Sequence, residues 1–188
     1  KIILSLDPEV ARVVGAWAKN RLPEISANRE NEQPVSFADK RFPHLKIYGR
    51  IDLIEKLSSS SVRVTDFKTG QPKKKSEVNK RDEEGRLSGL ARQLAMYAYL
   101  LEGSPKWRGV KVSESRLEFL EAKNSKDKIY NHIRGDNELK LLLKDIADYD
   151  EALKGGTWMS RECYYNSYGK NPPPAGGCEY CKMAEIYR

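Results

Sequence analysis

The chain has no apolar run approaching the length that spans a bilayer, so no membrane partner is expected. It shows no secretory signal either: Lys1-Ile2-Ile3-Leu4 is short and passes straight into a polar helix cap. Cysteine is scarce, and three residues cannot pair completely. Without a secretion signal, reduced thiols in a cytoplasmic setting are expected. Internal repeats are absent. Lys1 stands where an initiator Met would, so the chain is expected to be cut from a longer protein. What is present points to a soluble globular fold: hydrophobic content of 39% and charged content of 32% exclude a disordered polyelectrolyte. At 188 residues the chain suits one domain, 1–188, with a real core. A net charge of +7 favours polyanionic partners and speeds their encounter. Part of that excess sits in runs such as Lys73-Lys74-Lys75, which a solvated loop would also carry.

Asp7-Pro8-Glu9 reads as the start of a helix that Pro23 stops, with Val10, Val13, Val14 and Trp17 at helical spacing. Residues 25–34 look like a loop, and Val35–Phe37 like a short edge strand entered through Pro34. Residues 46–54 alternate, with Tyr48, Arg50, Asp52 and Ile54 sharing one face. A serine turn at 58–61 leads to a second strand, 62–68, the pair reading as a hairpin. Residues 70–86 read as a Lys-rich loop, 88–101 as a helix, 116–121 as a strand, and a long amphipathic helix starts near Asn137 and ends at Gly155-Gly156. The tail, 157–188, holds all three Cys and is expected to pack on the core. This order predicts a mixed α/β domain: a central sheet flanked by helices.

Asp52 on the first hairpin strand and Asp66 with Lys68 on the second can converge at one end of the sheet. Two close carboxylates repel unless a cation lies between them or one is protonated. Hard ions such as Mg²⁺ take oxygen ligands, can activate water and can stabilise charge on a phosphodiester. A neighbouring lysine can orient that water or neutralise developing charge. An Asp-x-Lys triplet alone carries little, because a cross-strand ion pair on an exposed hairpin has the same composition.

The surroundings add specificity. Gly49-Arg50-Ile51-Asp52, then Asp66-Phe67-Lys68-Thr69-Gly70, then Gln93-Leu94-Ala95-Met96-Tyr97 stand in order. This resembles the RecB-like branch of the PD-(D/E)xK nuclease superfamily, with its GxxD strand, D-[YF]-K-T-G strand and QxxxY helix. The resemblance implies a restriction-endonuclease-like core and a metal-dependent DNA nuclease. It makes Asp52 and Asp66 metal ligands, with the Phe67 carbonyl completing part of the shell for Mg²⁺ or Mn²⁺. Lys68 becomes the catalytic lysine, and Gln93 and Tyr97 lie against the site and the DNA. Glu32 is a further ligand candidate. Arg50, Lys73, Lys74 and Lys75 are candidates for meeting phosphates; Trp107 and Tyr130 are stacking candidates for which ordinary packing is an alternative.

The resemblance is incomplete. Relatives often carry a metal-touching His on an early helix, and neither His44 nor His132 stands there. Relatives with an iron–sulfur cluster end in Cys-x2-Cys-x5-Cys with a fourth Cys upstream. Here Cys178 and Cys181 have the first spacing, Tyr187 takes the third place and Cys163 is extra. Three thiols fall short of the four ligands of a cluster or structural zinc, so neither is expected. The resemblance further implies the C-terminal domain of a UvrD/Rep- or RecB-type helicase acting on DNA single strands or ends in repair or recombination. The alternative is a catalytically weak or inactive DNA-binding module on the same fold.

Overall fold

In the computed structural model, residues 8–124, 128–132 and 135–155 are described below. The elements are α1 (Pro8–Arg21), β1 (Arg29–Phe37), β2 (Ile47–Lys56), β3 (Ser61–Lys68), α2 (Lys75–Val78), α3 (Gly89–Gly103), β4 (Lys111–Phe119), β5 (Ile129–His132) and α4 (Asp136–Lys154). The chain divides into two compact units, Lys1–Lys144 and Asp145–Arg188, and every candidate site residue outside the Cys tail lies in the first. That tail, 157–188 with Cys163, Cys178 and Cys181, falls outside the described residues.

The five strands form one mixed sheet in the order β1-β2-β3-β4-β5. The first three run as an antiparallel meander, β3 and β4 pair in parallel through α3, and β5 returns antiparallel to β4. Adjacent residues on β3 show that helices cover both faces, because successive side chains point opposite ways. Asp66 meets α3 through Tyr97, and Phe67 meets the Trp17 ring of α1 edge-on at 5.4 Å. Under α3, Leu94, Leu117, Phe119, Ala122 and Val78 form a buried cluster. The α3 sequence GLARQLAMYAYLLEG is apolar on most sides, as a helix between sheet and neighbouring segments must be. Its start is capped by Ser88, whose hydroxyl accepts the Ala91 N–H.

Several boundaries differ from the sequence reading. β1 begins at Arg29, not at Val35, because an edge strand with a solvated side needs no apolar alternation in RENEQ. Pro34 sits inside it, opposite Arg50, as an edge permits. β4 starts at Lys111, five residues early, again through a polar segment. β5 has only four residues and leaves no periodic trace. The Lys-rich segment contains a turn of helix, α2, pinned by the fully buried Val78.

The β1–β2 ribbon outruns β3 and lies over α3. Phe37 packs edge-on against Tyr99 at 5.4 Å, and a Cβ on Gly49 would meet Leu100 Cδ1 at 3.1 Å. Gly103 is tighter: an added Cβ would fall 2.6 Å from the Phe37 Cγ. Gly15, within α1, has open space around it. Gly103→Ala is therefore expected to lower stability by about 1–3 kcal/mol, while Gly15→Ala raises it by about 0.5–1 kcal/mol. Urea denaturation checks both; equal effects would contradict the close approach of helix and ribbon.

Candidate active site

The β2–β3 ladder runs from Lys56↔Val62 to Leu53↔Thr65 and stops. The next residues on the two strands are Asp52 and Asp66. Past this point the Asp52 carboxylate replaces backbone pairing: its Oδ2 accepts the Phe67 N–H at 2.8 Å. The N–H and C=O of a strand residue leave on the same edge. The Phe67 carbonyl therefore faces the gap beside Asp52, whereas the Lys68 carbonyl turns to β4 and accepts from Leu120 N–H at 2.9 Å.

Asp66, buried on β3, is held from α3. Its Oδ1 accepts from the Tyr97 hydroxyl and from Gln93 Nε2, both at 2.8 Å. Gln93 Oε1 in turn accepts from Lys68 Nζ at 2.8 Å. The amide orientation follows from this, since an ammonium only donates and must face the Gln oxygen. Burial, and then the Asp66 charge, push the Tyr97 hydroxyl well above the ordinary tyrosine range. Tyr97 thus remains a donor to Asp66. Asp52 is raised above the ordinary carboxylate range, first by desolvation; the Phe67 N–H opposes this, and the charges of Asp66 and Glu32 add to it.

The donor set fits a hard divalent ion. Asp66 Oδ2 is buried and accepts no aligned hydrogen bond; its partner is the Lys68 ammonium, 2.8 Å away in an ion pair. Among the described residues no group of three or more His, Cys, Asp or Glu converges on one point. The chain would therefore supply two carboxylates and the Phe67 carbonyl, leaving positions for water, as Mg²⁺ prefers.

A profile of the PD-(D/E)XK nuclease superfamily matches residues 7–186. The chain belongs to the PD-(D/E)XK nuclease superfamily. No curated protein matches it in sequence. Among solved structures, it is similar to a protein titled "Putative exonuclease" from Eubacterium rectale, at 12% identity and a TM-score of 0.49, over 92% of this chain and 58% of that one. It is also similar to one titled SSO0001, at 15% identity and a TM-score of 0.38, over 77% of this chain and 57% of that one. The chain thus spans less than three fifths of the length of either. Nucleases of this superfamily generally use divalent ions such as Mg²⁺, in keeping with the paired carboxylates.

The other candidates are placed less centrally. Glu32 lies level with Asp52 in the register, between Asn31↔Leu53 and Gln33↔Ile51. It has φ 48°, uncommon for a residue with a side chain. Its exposed carboxylate pairs with Arg50 at 3.6 Å, and its charge reaches Asp52. Lys73 pairs with Glu77 at 3.8 Å on the exposed α2 segment that also carries Lys74 and Lys75. Trp107 is buried, and Tyr130 is stacked on His132 and bonded to Asn79, so both serve packing. Among the described residues no helix is long and apolar enough to cross a membrane.

One supporting group escaped the sequence reading. Glu118, almost fully buried on β4, lies beside Phe67 in the register and accepts from Trp17 Nε1 at 2.8 Å and Arg21 Nε at 2.9 Å. An acid between Leu117 and Phe119 in a strand was its only signal.

In the metal-free protein, Asp52→Asn keeps an acceptor for Phe67 N–H and removes a charge next to Asp66. Because the folded state raises the Asp52 pKa, the charged form opposes folding at neutral pH. The substitution is expected to stabilise by about 0.5–2 kcal/mol at neutral pH. The gain should fade as pH falls through the raised pKa of Asp52 and be gone below the ordinary aspartate range, where Asp52 is protonated in both states. Melting in EDTA across pH checks this; a destabilised variant at neutral pH would contradict it.

Proposed function

We propose that the chain is a Mg²⁺- or Mn²⁺-dependent deoxyribonuclease that hydrolyses phosphodiesters in DNA repair or recombination, as the RecB-like domain of a UvrD/Rep- or RecB-type helicase. The convergence of Asp52, Asp66 and Lys68 where β2 and β3 part carries this reading. The three motif blocks support the RecB-like and helicase assignments.

The bound ion would supply Lewis acidity and lower the pKa of a bound water. Asp52, Asp66 and the Phe67 carbonyl would hold it. Tyr97 and Gln93 occupy Asp66 Oδ1, so Oδ2, which pairs with the Lys68 ammonium at 2.8 Å, is the atom that would face the ion. Lys68, steadied by Gln93, places a positive charge where charge builds on the scissile phosphate. Arg50, Lys73, Lys74 and Lys75 would meet the backbone phosphates, which makes binding fall steeply with salt.

The test is cleavage of linear DNA in Mn²⁺. EDTA, Asp66→Ala and Lys68→Ala are each expected to abolish cutting, and Tyr97→Phe to reduce it about 10–100-fold, as removal of a group that orients a metal ligand does. Cutting that survives both Asp66→Ala and Lys68→Ala would place the chemistry elsewhere. Salt-sensitive DNA binding with no cleavage in any divalent ion would favour a non-catalytic module.

A further inference from the structure

On β2, Tyr48, Arg50 and Asp52 stand at alternate positions of the strand, and Gly49 between them lies against Leu100 of α3. Tyr48 is 76% exposed, the most exposed large hydrophobic side chain among the described residues. The other aromatics around the first unit are engaged: Tyr99 donates to Asp39, Trp17 to Glu118, and Phe37 packs on Tyr99. Among the described residues Tyr48 has no ring contact and no hydrogen bond. A single exposed tyrosine needs no explanation. Its neighbours along the strand are what matter. Among the described residues Arg50 is held only by an exposed 3.6 Å pair with Glu32, an interaction weak enough for a phosphate to displace. Asp52, one alternation further, is a proposed metal ligand. Along an extended strand Tyr48 lies at most roughly 13 Å from Asp52, with Arg50 between them.

We propose that Tyr48 is a stacking platform for an unpaired nucleobase, with Arg50 taking the phosphate beside it, so that a single strand is led along β2 to the Asp52–Asp66 site. The inference rests on the nuclease reading and names its substrate class. Every base has a π-face, so stacking of this kind tolerates any sequence. In a duplex those faces are covered by neighbouring bases, and only an unstacked strand presents them.

The test uses fluorescein-labelled oligothymidylate in EDTA, where nothing is cut, read by anisotropy. Tyr48→Ala is expected to weaken binding about tenfold or more, while Tyr48→Phe and Tyr48→Trp bind as wild type. Blunt duplex affinity should stay unchanged in all three. Abasic sites placed one at a time along the oligonucleotide should weaken wild-type binding at one position by a similar factor and add nothing in Tyr48→Ala. Wild-type affinity in Tyr48→Ala, equal loss for duplex, or additive abasic and Tyr48→Ala losses would each overturn the proposal. Such a failure, with Mn²⁺-dependent cutting intact in the wild type and lost in Asp66→Ala, leaves the nuclease reading standing. A wild type that never cuts but shows the Tyr48 pattern removes that reading and keeps the platform.

Discussion

Past Leu53 and Thr65 the backbone ladder between β2 and β3 gives out, and a side chain takes over. Asp52 accepts the Phe67 N–H, holding the two strands at a fixed distance while their main chains separate. That opening aims the Phe67 carbonyl and two carboxylates into the same gap. A complete ladder would fill it with backbone hydrogen bonds, and strands parted without Asp52 would leave a half-buried amide unpaired, which costs about 1–3 kcal/mol.

The rest of the first unit keeps this gap in shape from two directions. From one face α3 fixes Asp66 and Lys68 through Gln93 and Tyr97, one turn apart. From the other, α1 sets Trp17 against the Phe67 ring and ties itself to Glu118 on β4. The chemistry-bearing residues Asp66 and Lys68 and the buttressed residue Phe67 are consecutive, so the pleat of one strand delivers them to opposite layers. Rigid elements hold every member of the site, in keeping with the precision that a metal-dependent reaction asks of its ligands.

How much of this is legible in the sequence depends on periodicity. The hairpin and α3 follow from alternation, helical spacing and turn residues, whereas the Asp52–Asp66–Lys68–Gln93–Tyr97 set is marked by the three motif blocks and the resemblance they carry. In the structure Gln93 and Tyr97 reach Asp66, Gln93 reaches Lys68, and Asp52 accepts from Phe67 on the strand of Asp66 and Lys68. The sheet with helices on both faces follows too. Arg29–Gln33 of β1 and Lys111–Ser115 of β4 escape because polar strands at edges or ends need no apolar face. Glu118 escapes because a buried acid is defined by partners a hundred residues away, Trp17 and Arg21. Glu32 is level with Asp52 and pairs with Arg50, and its φ of 48° leaves no mark in composition.

In the proposed reading Asp52 and Asp66 share one cation. A crystal of the full chain soaked in Mn²⁺ and measured at the manganese edge tests it most directly. The expected result is an anomalous peak between the two carboxylates, within bonding distance of Asp66 Oδ2. A peak elsewhere, or none at saturating Mn²⁺, would rule out a cation shared by Asp52 and Asp66.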